Sequence, residues 1–421
     1  MDLKNIAAHL IAFTVGLTLE IEYEFIGTLR VSELILLGFF VTLFAFGKAF
    51  VLFRVPFAKV VAGLGILWLV AQYISDSVND VSWVNFLKGH ANIGMILVSV
   101  AACVLLFRTN PNRYASYLLG LFFCRVFNRI SGALETTHAT EYWDRFIGGW
   151  ASCLVILLAL FFLYRGKRGT LIAPFIAAYG CLAIPFGGRS HGLIFLLLSV
   201  LLWYGLHGRA IGVLHPSRKK VIWAGVTLFV SVMIVFQVYV YLAMQGVLGV
   251  KARGQMNASK NPYNPVAVIM AGRGSIPIAI RAISDAPVFG HGSKAFKRKY
   301  MTAATRAEGA TSIPAHSCIL AAWVFSGILG VPFWIAVLII HVLIYRSAIN
   351  QGHPQFVLLA SYLLADGLWH IFFSPLGYAR FPWPPLFAVC IILYSQATAK
   401  VTSEDDFGEE RLASPALPAF A

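Results

Sequence analysis

Residues 315–345 have the sequence AHSCILAAWVFSGILGVPFWIAVLIIHVLIY, which contains no Asp, Glu, Lys or Arg. A helix needs about 20 mainly apolar residues to cross the hydrocarbon core of a bilayer, so this segment is too long for one straight crossing. Because Gly327 and Gly330 interrupt it, we predict a short interfacial helix, a break near these glycines and then a membrane-spanning helix. The segment therefore predicts a membrane helix that is broken near its start.

Similar apolar segments recur along the whole chain of 421 residues, which is 59% hydrophobic, has a mean hydropathy of +0.76 and is only 12% charged. Soluble domains contain about 25% charged residues. The sequence therefore predicts an all-α integral membrane protein with about 12 transmembrane helices and one large outer loop between spans 9 and 10. The first apolar run is expected to be a span and not a cleaved signal peptide. The predicted spans are residues 5–19, 31–47, 57–75, 90–107, 114–132, 146–164, 169–186, 191–207, 221–243, 315–345, 355–371 and 382–398.

Basic residues are distributed unevenly between the two sets of loops that these spans define. One set of short loops holds thirteen basic residues and no acid, whereas the other set is rich in Asp and Glu. Cytoplasmic loops carry the excess of Lys and Arg, so the first set is predicted to be cytoplasmic, together with both termini. The chain then divides into transmembrane helices 1–9 (residues 1–245), an outer loop (246–313), transmembrane helices 10–12 (314–400) and an acidic tail (401–421).

The outer loop is strongly basic, because ten Lys or Arg residues against two acids leave a net charge of +8. Positive charge on the outer face favours contact with anionic lipid headgroups or with phosphate groups of a substrate. Within the loop Arg273 is a sharper candidate for phosphate binding than the cluster Lys294–Lys299, which would bind headgroups equally well. Residues 276–284 predict a short helix on the membrane surface, and Arg281 interrupts its apolar pattern. Residues 290–292, Gly-x-Gly, predict a tight turn.

Two ionisable side chains are predicted at membrane level. Arg189 lies in a very short outer turn between spans seven and eight, next to two glycines. Its guanidinium can donate two parallel hydrogen bonds to a phosphate, or it can extend to the lipid headgroups. Asp366 lies within span eleven, where an acid usually faces the bundle interior or a cavity. We expect it to pair with an arginine, for function or for structure alone.

Arg125 and Arg129 are one helical turn apart near the outer end of span five, so they share a face. They extend the anion site or pair with Glu135 or Asp144. His316, at the start of the tenth apolar segment, is a candidate base or hydrogen-bond donor, because imidazole titrates near neutral pH. A helix cap or an interface residue is the alternative for His316. The six cysteines lack C-x-x-C spacing, so neither disulfides nor a zinc site is predicted.

These features resemble the O-antigen ligase and O-antigen polymerase superfamily, bacterial membrane enzymes that use undecaprenyl-diphosphate-linked glycans. The ligase pattern is His-[Asn/Ser/Gln], nine residues, then Gly-x-x-[Gly/Thr/Tyr]. It is met by His316, Ser317, Gly327 and Gly330. The number of spans and the position of the large loop are also similar.

Two further motifs are similar to those of the superfamily. Residues 188–190, Gly-Arg-Ser, resemble its Ser-Arg-Gly-like transmembrane turn. Arg273 followed by residues 287–292, Pro-Val-Phe-Gly-His-Gly, resembles its loop pattern of an arginine and then Pro-Leu-Phe-Gly-x-Gly. Pro277 differs from the tryptophan that the superfamily often has at that point.

The resemblance implies a metal-independent, inverting glycosyl transfer at the periplasmic face of the bacterial inner membrane, without a cofactor. Arg189 and Arg273 would hold the diphosphate, and His316 would orient or deprotonate the acceptor hydroxyl. The expected partners are the lipid-linked glycan, the lipid A-core or a growing glycan as acceptor, and membrane lipids, with no nucleic acid. The additional substrate-binding candidates are Arg281, Asp366, Arg125, Arg129, Gly290, Gly292 and Ser317.

A ligase is favoured slightly over a repeat-unit polymerase, because the outer loop at residues 135–144 is short and polymerases often carry a second sizeable outer loop. A transporter for lipid-linked oligosaccharides would also use many spans and buried arginines, but the two halves show no obvious sequence symmetry. A non-catalytic scaffold protein is a further functional class, although such a protein would not need Arg189, Asp366 and His316 together.

Overall fold

The chain is a bundle of α-helices in the computed structural model. The structure describes residues 3–24, 27–133, 149–165, 169–184, 189–207, 230, 233–234, 236–248, 253–254, 256–257, 259, 261–264, 267–268, 274–300 and 312–406. The helices are α1 (Leu3–Leu17), α2 (Val31–Ala45), α3 (Ala58–Val78), α4 (Trp83–Phe107), α5 (Arg113–Ala133), α6 (Trp150–Tyr164), α7 (Gly169–Ala183), α8 (Arg189–His207), α9 (Ser275–Asp285), α10 (Cys318–Ser326), α11 (Val331–Gln351), α12 (Pro354–Phe373) and α13 (Trp383–Asp406).

Several of these helices have the length and composition of membrane spans. Among the described residues five helices are long and apolar enough to cross a membrane, or six if α2 and the 3₁₀-helix after it count as one bent span. The five are α3, α4, α8, α11 with the turn before it, and α12. The helical content and these apolar lengths identify a multi-pass, all-α membrane protein.

The helices agree in position with the predicted spans. In the ninth predicted span the described residues 236–243 are helical, and a helix overlaps each of the other eleven spans. The apolar parts of α1, α6, α7 and α13 are 10–17 residues long, so the number of crossings stays a prediction. The predicted break in the tenth segment is confirmed. The helix α10 ends at Ser326, Gly327 has a φ of 73°, and a 3₁₀ turn (Ile328–Gly330) leads into α11.

The core of the bundle lies around α12, whose apolar window is 72% buried, compared with 33% for α3. Glycines allow some helices to cross at very short distance. A Cβ on Gly16 of α1 would overlap the carbonyl oxygen of Tyr117 on α5, and a Cβ on Gly120 of α5 would overlap that of Phe13. Small residues at such a crossing let two backbones approach closely, which is the main source of helix association within lipid.

The two ends of the bundle differ. At one end, here called the loop end, an antiparallel hairpin of β1 (Glu22–Glu24) and β2 (Thr28–Arg30) precedes α2, and α9 packs against α10. At the other end, here called the elbow end, the chain turns by 95° after α2 into a 3₁₀-helix, Lys48–Arg54. The loop end holds the described residues 274–300 and therefore the candidate site.

Candidate functional site

The turn at residues 287–292 is docked on the break between α10 and α11. The amide of His291 donates to the carbonyl of Val324 at 2.7 Å, and the amide of Gly292 donates to that of Phe325 at 3.1 Å. The last carbonyls of α10, which the break leaves without helical partners, are thereby satisfied. Two motifs that are far apart in sequence thus form one local structure.

Glycine is required on both sides of this contact. Gly290 has a φ of 71° and Gly327 a φ of 73°, in the left-handed region that residues with a Cβ rarely adopt. A Cβ on Gly290 would lie 2.6 Å from the amide nitrogen of Gly327, and a Cβ on Gly327 would overlap the carbonyl oxygen of Val288. The predicted tight turn at 290–292 is therefore confirmed, and its glycines allow the docking.

A buried polar network that includes Gln72 and Asp76 of α3 holds the docked turn in place. Ser293 donates to both carboxylate oxygens of Asp76, from its amide at 2.6 Å and from its hydroxyl at 2.7 Å. Gln72 donates to Ser293 Oγ at 2.9 Å and accepts from Ser326 Oγ at 2.6 Å. Asp76 is only 2% exposed, so these charge-assisted bonds compensate for its desolvation. The network fixes the residue that follows, Lys294.

Lys294 faces a cavity of about 550 Å³ that opens at the loop end. His316 lies in the wall of the same cavity, on the segment that precedes α10. Arg30, from the hairpin, and Arg380, from the turn between α12 and α13, complete its basic lining. A volume of this size lies in the range of ligand-binding clefts, which begins at about 300 Å³.

Arg380 is held rigidly in the cavity wall by Glu33. Its Nε and one terminal nitrogen donate to the two carboxylate oxygens of Glu33 at 2.7 and 2.6 Å. Another terminal nitrogen donates to Asn92 at 2.7 Å, and a weaker bond reaches the carbonyl of Thr28 at 3.3 Å. Four of the five N–H donors are thereby engaged, which leaves one for a ligand. Arg380 and Glu33 are 9% and 2% exposed, so this is a buried ion pair.

The other two cations differ in how they are paired. Arg30 forms an ion pair with Glu22 at 2.5 Å and stacks over the ring of Phe381 at 3.0 Å. Lys294, in contrast, has no carboxylate partner within the described part of the chain. Lys294 is exposed to the cavity, but partial desolvation by the cavity wall lowers the pKa of its ammonium, and the positive charges of Lys88 and Arg380 lower it further. An anion bound beside Lys294 would relieve this repulsion.

Two of the other three cations of the basic cluster are used inside the loop. Lys297 Nζ donates to Nδ1 of His291 at 2.9 Å, and His291 Nε2 lies 2.8 Å from the carbonyl of Ala282 on α9. Lys299 pairs with Asp285 at 2.8 Å, and Tyr300 donates to the same carboxylate at 2.5 Å. The four cations that the sequence suggested as a single binding surface therefore separate into Lys294 at the cavity, two that hold the loop, and the exposed Arg298.

The helix cap at the start of α10 is Ser317 and not His316. The Ser317 hydroxyl accepts from the amide of Leu320 at 3.2 Å and donates to the carbonyl of Ile371 on α12 at 2.9 Å. Ser317 is 2% exposed, whereas His316 is exposed to the cavity. The alternative prediction of His316 as a cap is therefore wrong, and its imidazole stands where a ligand can reach it.

A second, much smaller polar cavity lies inside the bundle, with a volume of about 30 Å³. It is lined by Arg125, His191, Asp366, His370 and Tyr117, among others. Asp366 was predicted to pair with an arginine, but its described partner is His370, whose Nε2 lies 3.1 Å from Oδ1. The second oxygen, Oδ2, is buried and has no hydrogen-bond partner among the described residues. Such a space has room for about one or two water molecules.

Arg125 is tied to the neighbouring helices. It pairs with Glu20 at 3.2 Å and donates to the carbonyl of Gly149 at 2.9 Å. The predicted partners Glu135 and Asp144 lie outside the described residues, as does the side chain of Arg129.

The remaining predicted residues are only partly described. Arg273 lies outside the described residues, and Arg189 is described only as the first residue of α8. The helix that contains Arg281 is confirmed as α9, and Arg281 lies on its exposed side. Sequence reasoning missed Arg30, Lys294 and Arg380 as cavity residues. Arg380 carried a usable signal, since it lies in a short turn between two spans, as Arg189 does.

No protein-family model and no curated protein matches this chain. The resemblance to the O-antigen ligase and polymerase superfamily therefore rests on the sequence motifs alone.

Proposed function

We propose that this protein is an O-antigen ligase-type glycosyltransferase that moves a glycan from undecaprenyl diphosphate to a hydroxyl of the lipid A-core. The proposal includes twelve crossings of the bacterial inner membrane, cytoplasmic termini and a cavity that faces the periplasm. It rests on the motif resemblance together with the cavity at the loop end.

The observation that carries the proposal is the docking of the 287–292 turn onto the Gly327 break. These belong to two of the three motifs that the superfamily resemblance singles out, and they are in direct hydrogen-bonded contact. Beside the contact, His316 and Lys294 line one cavity. A histidine and an unpaired cation in one accessible space suit an acceptor hydroxyl and a diphosphate.

In the proposed reaction the acceptor oxygen attacks the anomeric carbon of the sugar, and the bond from that carbon to the diphosphate oxygen breaks. The electron pair of the broken bond stays on undecaprenyl diphosphate, and His316 takes the hydroxyl proton. Lys294, the remaining donor of Arg380 and the two predicted arginines Arg189 and Arg273 stabilise the charge that develops on the leaving diphosphate.

The test is transfer by the purified protein, supplied with a lipid-linked oligosaccharide and lipid A-core. We expect a core-linked product from the wild type and none from His316→Ala. His353→Ala is a control, since His353 precedes α12 at the elbow end. Unchanged transfer by His316→Ala, with normal membrane insertion of both variants, would refute the site assignment.

A repeat-unit polymerase is the second candidate, because it shares the motifs. The short segment at 135–144 favours the ligase. The two are separated by omitting the core acceptor, since only a polymerase would then lengthen the lipid-linked glycan. A transporter would move the lipid-linked glycan across a vesicle membrane without forming a new glycosidic bond.

A further inference from the structure

The elbow end carries an apolar crevice of about 330 Å³ between α2, the 3₁₀-helix, α3 and α4. Every residue that lines it is apolar, including Phe44, Phe50, Ala62 and Leu97. In a bilayer such a space is filled by hydrocarbon, because an empty crevice would lose dispersion contacts on one side. The crevice therefore has the chemistry of a site for an acyl chain.

The crevice arises from the turn after α2. Gly47 has a φ of 70°, and the following 3₁₀-helix runs at 95° to α2, across the end of the bundle. The wedge between the two helices is open on the lipid side, where Phe46 and Phe53 are 74% and 55% exposed. Exposed phenylalanine rings carry no polar group, so they suit contact with lipid hydrocarbon. The elbow thus places an apolar space directly below the predicted membrane surface.

Three cations lie next in sequence to residues that line this crevice, namely Ala49, Phe53 and Ala58. Lys48 and Arg54 begin and end the 3₁₀-helix, and Lys59 is the second residue of α3. All three side chains are exposed, and none has an ion pair or a hydrogen bond among the described residues. Clusters of Lys and Arg beside an apolar membrane surface attract anionic headgroups.

We propose that the elbow binds one anionic glycerophospholipid, with an acyl chain in the crevice and its phosphate against Lys48, Arg54 and Lys59. The apolar lining alone would accept any lipid, but the three unpaired cations select a headgroup that carries a net negative charge. The site is at the opposite end of the bundle from the cavity of His316, so it is distinct from the proposed transfer site.

Native mass spectrometry of the full-length protein tests this site, with phosphatidylglycerol and phosphatidylcholine of the same acyl chains added at equal concentration. We expect one phosphatidylglycerol to be retained at least tenfold more than phosphatidylcholine. Lys48→Gln/Arg54→Gln should weaken that retention on the order of tenfold or more, given the usual effect of a cation near the headgroups. Ala62→Trp should displace both lipids, because the ring fills the crevice.

Arg165→Gln/Arg346→Gln is the matched control. It removes the same charge from two exposed side chains that do not line the crevice, and it should leave lipid retention unchanged. Equal retention of the two phospholipids, or equal weakening by both double variants, would overturn the proposal. Displacement of phosphatidylglycerol by an equal concentration of polyprenyl phosphate would assign the crevice to a carrier lipid and would also overturn it.

Discussion

The two polar cavities of the bundle differ in size, in construction and in the state of their charges. The cavity at the loop end has a volume of about 550 Å³ and is walled by loops and turns together with α3, α4 and α10, with Lys294 unpaired among the described residues. The cavity inside the bundle has a volume of about 30 Å³ and is walled by helices, with Arg125 and Asp366 each engaged by a neighbour.

The difference indicates that the larger cavity binds a ligand, whereas the smaller one stabilises the packing of the helices. A diphosphate or a sugar requires a space of hundreds of Å³, which only the larger of these two cavities offers. The smaller one has room for about one or two waters, which would satisfy Asp366 Oδ2. A charged residue near the membrane thus marks a polar cavity in both cases. It does not show whether that cavity binds a ligand or stabilises the fold. Substitutions in the two cavities should therefore affect different properties.

The largest effect is expected where the larger cavity depends on a buried charge. Glu33→Gln leaves Arg380 buried without its carboxylate, and removal of one partner of a buried ion pair costs about 3–5 kcal/mol. We expect a large fall in the thermal unfolding temperature of the detergent-solubilised protein. Glu22→Gln is the control, because Glu22 is 45% exposed and its pair with Arg30 should contribute less than about 1 kcal/mol. Equal shifts for the two variants would contradict a buried, stabilising pair.

The second effect concerns the docking that forms the larger cavity. Gly327→Ala places a Cβ at a positive φ and against the carbonyl of Val288. The strained backbone alone costs about 1–3 kcal/mol. We expect faster hydrogen exchange across residues 286–293, together with loss of transfer. Gly94→Ala on α4, which has open space around the added Cβ and does not line the cavity, should change neither. Unchanged exchange in Gly327→Ala would show that the turn docks in another way.

The helical parts of this comparison could be predicted from the sequence, but the wall of the larger cavity could not. Apolar length located the helices, and Gly327 and Gly330 located the break, because these are local properties of the chain. The pairing of Arg380 with Glu33 joins residues 347 positions apart, which no local pattern reveals. Lys294 appeared as one of a cluster, because the sequence does not show that Lys297 and Lys299 already have partners within the loop.

The smaller cavity gives the third effect, in which stability changes and ligand binding does not. Asp366→Asn removes the charged partner of His370, and a hydrogen bond to a charged group contributes about 1.5–3 kcal/mol. We expect a lower unfolding temperature, with the KM for the lipid-linked donor within about twofold of the wild type. An increase in KM without a loss of stability would place Asp366 at the ligand instead.

The reverse outcome is expected for the larger cavity. Lys294→Gln removes its unpaired cation, and loss of one charged contact to a phosphate should weaken donor binding about tenfold, with an unchanged unfolding temperature. Lys299→Gln removes the same charge from an exposed pair with Asp285 and should leave binding unchanged. Donor affinity measured for both variants by isothermal titration decides the point. Equal weakening would mean that the loop attracts the donor by its total charge and not through Lys294.

The smallest effect is a pH dependence of the docked turn. Burial lowers the pKa of His291 below its ordinary 6.5, and the nearby Lys297 and Lys299 lower it further. The docked turn therefore favours neutral His291. The contribution of neutral His291 to the stability of docking is present above pH 6.5 and is lost as the pH falls below that value. We expect hydrogen exchange of residues 286–293, corrected for its intrinsic rate, to be less than about tenfold faster at pH 5.5 than at pH 7.5. His291→Gln cannot titrate and should remove the difference. If the difference persists in that variant, another group of the loop titrates in this range.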